Sequence, residues 1–104
     1  MKVTLRLPAA LGELARGERA VVVELDEPAT VASLLDELAR RLPAVERRIR
    51  DETGTQRRHV NLFVGEVNIR DGAGLAEALS DGAEVWVIPA VSGGGGCLEV
   101  RAAL

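Results

Sequence analysis

Only one stretch of this chain can form a helix of three turns, and that limits what the rest can be. Val31, Leu34, Leu35, Leu38 and Leu42 recur at helical spacing and make a single apolar stripe. Asp36, Glu37, Arg40 and Arg41 face the other way. Thr30 stands at the N-cap position, where its hydroxyl can accept a free backbone amide. Pro43 ends the helix, because the residue before a proline is pushed out of the helical region. The prediction is a helix over Val31 to Leu42. A short second helix is expected over Val45 to Arg50, with Arg47, Arg48 and Arg50 as a solvated face.

The remaining apolar residues run at strand period. Val3, Leu5 and Leu7 alternate with Lys2, Thr4 and Arg6, and Pro8 closes that strand. Leu11 to Gly17 reads as a turn or short loop. Arg19 to Leu25, with Val21, Val22 and Val23, reads as a second strand, hairpinned to the first. Asp26 to Ala29 is polar punctuation, and Asp51 to Arg58 a polar loop. His59 to Val64 is a third strand with Val60, Leu62 and Val64 on one face. Gly65-Glu66 is a tight turn and Val67 to Ile69 a short fourth strand. Leu75 to Leu79 would make one helical turn. Glu84 to Pro89 is a fifth strand, apolar on both faces, which suits a central strand covered on both sides or paired with two neighbours.

One helix cannot cover five strands except by lying across one face. The order therefore predicts an α+β fold of the β-grasp type: a mixed five-stranded sheet with one main helix across one face. The first and last strands lie side by side in the middle. The helix stripe packs on Val3, Leu5, Leu62, Val64, Val85 and Val87, or on their alternate partners. Residues 1–90 form this domain and residues 91–104 a flexible Gly-rich tail.

Composition narrows the function. The chain has 104 residues, the size of one domain that can bury a core unaided. A net charge of -3 and only 2% aromatics leave no basic or stacking surface for nucleic acid. No apolar segment approaches a membrane span, and Met1 to Arg6 lacks the apolar centre of a signal peptide, so a cytoplasmic protein is expected. The one cysteine, Cys97, and the one histidine, His59, cannot between them build a metal site. Gly72-Ala73-Gly74 lacks the strand-to-helix setting of a phosphate loop. Lys2 is the only lysine, so a modifier of this sequence would offer itself one lysine for chain growth.

The last core strand runs straight into Ala90-Val91-Ser92-Gly93-Gly94-Gly95-Gly96-Cys97. Four consecutive glycines resist both helix and strand, because each loses the most backbone entropy on ordering. Such a run is either a plain linker or a thin arm able to enter a channel closed to larger residues.

Val60-Asn61-Leu62-Phe63-Val64-Gly65, the Leu75 to Leu79 turn, Asp81-Gly82-Ala83-Glu84-Val85 and Ile88-Pro89-Ala90-Val91-Ser92-Gly93-Gly94 together decide between these. Over Met1 to Gly94 the chain resembles the ubiquitin-like sulfur carrier proteins of the MoaD/ThiS family, and among them the CysO-type carriers. The resemblance implies a protein co-substrate, with no catalytic residue of its own and no bound cofactor. A MoeB/MoeZ/ThiF-like adenylase and sulfurtransferase would use ATP to adenylate the terminal glycine carboxylate. Persulfide sulfur would displace AMP and leave a thiocarboxylate, which a sulfur-accepting biosynthetic enzyme would consume. Cysteine, molybdopterin, thiazole and thiosugar or other thio-natural-product pathways use such carriers. Gly94 would carry the sulfur, with Gly96 as the alternative, and Val91, Ser92, Gly93 and Gly94 would enter the partner's active site. From Pro89 to Gly94 an extended chain spans about 20 Å, enough to reach into a cleft. Phe63 with the exposed sheet face, and a basic patch of Arg57, Arg58 and Arg70, are the candidate docking residues.

The chain departs from the family pattern at its end. Gly95 to Leu104 follow the second glycine, so neither Gly94 nor Gly96 has a free carboxylate. The resemblance implies a precursor trimmed after Gly94 or Gly96 by a JAMM-type zinc protease; an adventitious extension is the other reading. Cys97 would leave with the cleaved tail. Two rivals stand beside the carrier: a ubiquitin-like modifier joined to lysines, and an interaction module whose tail is inert.

Overall fold

The computed structural model describes residues 1–89; Ala90 to Leu104, which hold the predicted tail, lie outside the described residues. In chain order it contains β1 (Lys2–Arg6), α1 (Ala9–Gly12), β2 (Ala20–Glu24), β3 (Ala29–Thr30), α2 (Val31–Arg41), α3 (Pro43–Ile49), β4 (Val60–Val64), β5 (Val67–Asn68), β6 (Ala78–Leu79) and β7 (Glu84–Pro89). Five strands form one mixed sheet in the order β2-β1-β7-β4-β5. β1 and β7 run parallel in its middle, with Leu5 level with Val85, and β2 and β4 flank them antiparallel. This is the β-grasp arrangement expected from the element order.

The core follows from the two periodicities. Val3 and Leu5 of β1, Val21 and Val23 of β2, Leu62 of β4, and Val85 and Val87 of β7 turn to the same side and are buried. α2 lies against them with Val31, Leu34, Leu35 and Leu38 fully buried. Burying each such side chain is worth about 1.5–3 kcal/mol relative to leaving it in water. Thr30 caps α2 as predicted: its hydroxyl accepts from the Ser33 amide at 3.2 Å, and the Ser33 hydroxyl accepts from the Thr30 amide at 3.2 Å.

Several expectations need correction. Leu11 to Gly17 is not a simple loop. It holds the end of α1 and a 3₁₀ turn at Glu13–Ala15, because Ala15 is buried and Leu11 packs on the core. The turn stops where Arg16 and Gly17 take left-handed backbone angles, φ 60° and 86°. Leu75 to Leu79 is not one helical turn. Gly74–Ala76 makes a 3₁₀ turn, and Ala78–Leu79 becomes β6, paired antiparallel with β3 at Ala29–Thr30. That two-stranded sheet brings the buried Ala29 and Leu79 together, a long-range contact with no local signature. Ile69, expected in a strand, starts a 3₁₀ turn and is fully buried. Pro43 both ends α2 and opens α3, sitting at its first position, where a missing N–H costs nothing.

Arg50 is not on a solvated face. It is 8% exposed, and its Nε donates to Glu46 Oε2 at 2.7 Å and its Nη2 to Asp36 Oδ1 at 3.0 Å. The guanidinium is taken inward with Glu46, and its other edge meets the exposed Asp36 of α2, which ties α3 to α2. β7, too, is paired with two neighbours over Glu84 to Trp86, but among the described residues only one of its faces is covered: Trp86 and Ile88 are 42% and 44% exposed.

Candidate functional site

The site is built on the two faces of β7's central position. β1 and β4 flank the first half of β7, Glu84 to Trp86, and β4 alone pairs its C-terminal end, Val87 to Pro89, the root that precedes the tail. Pro89, the last described residue, lies level with Val60 at the start of β4. The pair is a non-hydrogen-bonded one, so the proline's missing N–H removes no bond to β4.

On the uncovered face, β7 presents Trp86 and Ile88. Phe63 lies directly across from Trp86 on β4 and is half-buried, so the predicted docking residue sits on the exposed sheet face. Val22 of β2, 53% exposed, lies on the same face but is separated from β7's apolar pair by Thr4 of β1 and Glu84. Arg6 of β1 places its guanidinium 5.6 Å from the centre of the Trp86 ring and pairs with Glu84 at 3.1 Å. Sequence reasoning named Phe63 and this face but not Trp86, Ile88 or Val22. The available signal was the double-sided apolar pattern of Glu84 to Pro89 combined with a single long helix: whatever the helix leaves uncovered stays exposed.

The three predicted arginines gather beside the tail root, at the N-terminal end of β4. Their states differ. Arg58 is exposed, while Arg57 is half-buried with its Nε donating to the Arg47 carbonyl at 2.8 Å. Arg70 Nη2 donates to the carbonyls of Val60 (2.7 Å), Arg57 (2.8 Å) and Arg58 (3.2 Å), and its Nε to Asn61 Oδ1 (3.1 Å). His59 is exposed and lines a shallow cavity of about 330 Å³ with Arg47, Arg48 and Arg57. Among the described residues no cluster of three or more His, Cys, Asp or Glu side chains could hold a metal ion. Nor is any helix there long and apolar enough to cross a membrane. Val91, Ser92, Gly93, Gly94, Gly96 and Cys97 lie outside the described residues.

The chain is 31% identical over 96 residues to the sulfur carrier protein CysO of Mycobacterium tuberculosis, covering 90% of this chain and 100% of CysO. The crystal structure of that CysO superposes with a TM-score of 0.75, covering 86% of this chain and 99% of the other. It is 40% identical over 91 residues to small archaeal modifier protein 1 of Haloferax volcanii, covering 86% of this chain and 97% of the relative. That protein's crystal structure gives a TM-score of 0.77 at 36% identity, covering 90% and 100%. A complex of BexX with CysO from Amycolatopsis orientalis matches at a TM-score of 0.75 and 30% identity, covering 88% of this chain and 99% of the matched one. The family model of the ThiS family matches residues 5–94, from the first core strand to the second glycine of the tail, and with a β-grasp domain carrying that tail on its central strand the chain belongs to the ThiS family.

Proposed function

We infer that the protein is a sulfur carrier. The observation that carries this is the continuity of β7 with Ser92-Gly93-Gly94: the sheet's central strand leads directly to the point where the family match ends, at residue 94. That end point supports Gly94 over Gly96 as the working terminus. The protein acts as a co-substrate rather than an enzyme. Its carboxylate is a weak electrophile until an ATP-dependent activating enzyme adenylates it. The outer sulfur of a persulfide on the activating partner then displaces AMP to give an acyl disulfide. A second thiol of that partner cleaves the disulfide and is itself oxidised to one, and the released thiocarboxylate travels to a sulfur-accepting biosynthetic enzyme in the cytoplasm. The relative found in complex with BexX supports a carrier that binds a second protein. ATP belongs to the activating enzyme, and this chain binds no cofactor.

The folded body supplies position and recognition. The root holds the tail at the end of β7, and about 20 Å of extended chain lets Gly94 reach a buried nucleotide site while the domain stays outside. Phe63, Trp86 and Ile88 form the docking surface, since exposed aromatic and large apolar side chains anchor interfaces. Activation requires removal of Gly95 to Leu104 by a JAMM-type protease, whose zinc is the protease's own.

Intact mass spectrometry of the protein from its own host tests this reading. The expected species ends at Gly94 and is heavier than the carboxylate form by the difference between sulfur and oxygen. Full-length protein alone, while sulfur metabolites are being made, would overturn it. The likeness to small archaeal modifier protein 1 favours a second reading, attachment of the same terminus to lysines. Gly-Gly remnants on host lysines, dependent on Gly94, would establish it.

A further inference from the structure

Val60 is level with Pro89, the last described residue before the tail, as a non-hydrogen-bonded pair beside the hydrogen-bonded Asn61–Ile88 pair. Its backbone is not served by the neighbouring strands. Gly65 donates to the Glu84 carbonyl and the two-residue turn closes on Val64 and Val67, so Asn61 and Phe63 turn their backbone groups to β7 while Val60 turns its own away from it. The Val60 amide donates to the Arg57 carbonyl at 3.2 Å. On its other side β4 has only β5, whose two residues pair with Phe63 and Val64 and stop short of Val60.

Arg70 stands where a longer β5 would have run. Its own amide donates to Asn68 Oδ1 at 3.0 Å, which fixes the backbone from which the side chain leaves. Its Nη2 then reaches the carbonyls of Val60, Arg57 and Arg58, and its Nε reaches Asn61 Oδ1. Gln56 Nε2 gives the Val60 carbonyl a second donor at 2.7 Å. A planar guanidinium can serve acceptors on both its edges at once, which a single ammonium cannot. Arg70 itself is exposed, but these bonds commit its Nε and Nη2 to the chain's own backbone and Asn61.

We propose that Arg70 is a positioning residue for the sulfur-loading reaction: by clamping Arg57 to Asn61 at the end of β4, it fixes the site where Pro89 leaves the sheet and so sets the direction of the tail. The proposal rests on the carrier reading. Its effect is on how often the glycine carboxylate presents itself to the activating enzyme, not on the chemistry at the carboxylate. A loosened root spreads the tail over more directions, each carrying less of the productive population.

Two measurements test it. In the full chain, Arg70→Ala should speed hydrogen exchange of the Asn61 and Ile88 amides while those of Val3 and Leu5 stay protected. In a chain ending at Gly94, with ATP and the host's activating enzyme, the same variant should raise KM about tenfold and change kcat less than about twofold. The effect should be equal at low and high salt, and Arg70→Lys should regain part of it. Unchanged exchange at Asn61 and Ile88 overturns the proposal. A KM effect that fades at high salt also overturns it, because that is the behaviour of a docking charge. If Arg70→Ala does not fold, Arg70→Lys carries the same comparison. If the unmodified chain is not activated at all, the carrier reading fails, and hydrogen exchange still decides whether Arg70 holds the tail root.

Discussion

Arg50 shows how a charge can enter the core of a small domain. Glu46 is 9% exposed and Arg50 8%, and the two meet at 2.7 Å with Asp36 closing the second side of the guanidinium. Removing one partner of such a group leaves the other buried and under-solvated, which costs more than the pair's net worth. Glu46→Ala should therefore lower stability by about 2–3 kcal/mol in urea unfolding, with Asp36 preventing a larger loss. A variant unfolding at the unmodified midpoint would mean the pair is not formed in solution. Asp51 makes a different residue-scale case, on the surface. Hydrogen bonds from the Thr53 hydroxyl, then from the Thr55 and Thr53 amides, hold its carboxyl below the ordinary 3.8. A carboxyl with a lowered folded value favours the native state at pH above about 3.8, and that advantage is lost as pH falls through the lower folded value. Carbon-detected NMR titration should find Asp51 below 3.8, and Thr53→Val should move it back toward 3.8; a titration unaltered by Thr53→Val would remove the cause assigned here.

At the scale of elements, α2 holds the sheet together. Leu38 is fully buried and faces the sheet with Leu34 and Leu35. Leu38→Ala removes its buried methyl groups and leaves a cavity, so it should cost about 2–5 kcal/mol in denaturant unfolding without altering the fold. A loss under about 1 kcal/mol would mean the core collapses around the gap, contrary to the close packing of the stripe. The elements that were legible in the sequence were those with enough residues to show a period: α2, β1, β2, β4 and β7. Those that were not were too short to have one. β3 and β6 have two residues each and exist only because distant segments meet. α1 and the turn that follows it end at Arg16, whose left-handed angle no glycine or asparagine announced. Arg50 was misplaced for a related reason. Its neighbours Arg47 and Arg48 are exposed, and only the register of α3 against Asp36 of α2 turns the third arginine inward.

Across the described residues, the sheet has one covered face and one open face, and the strand that presents both is the one the tail follows in sequence. Part of this was legible: the glycines and the strand before them are contiguous in sequence. The open face was only half legible, because an apolar residue on a strand shows which face it shares, not whether anything lies on that face. Trp86 and Ile88 became docking candidates once Val85 and Val87 were found buried against α2 and nothing described covered the alternate positions. If that face receives the activating enzyme, a charge at its centre must be desolvated on binding. Ile88→Glu should then raise KM for activation of the chain ending at Gly94 by roughly thirtyfold, the equivalent of a hot spot of about 2 kcal/mol. Stability should stay within about 0.5 kcal/mol, since Ile88 is already 44% exposed. Val67→Glu provides the comparison. Val67 is 52% exposed, but it pairs with Val64 at the far edge of the sheet rather than lying among the open-face residues of β7. Its KM should stay near the unmodified value. Equal effects from the two substitutions would mean that added negative charge, not the open face, governs encounter; no effect from Ile88→Glu would place the docking surface elsewhere and leave the exposed Trp86 and Ile88 without a role in activation.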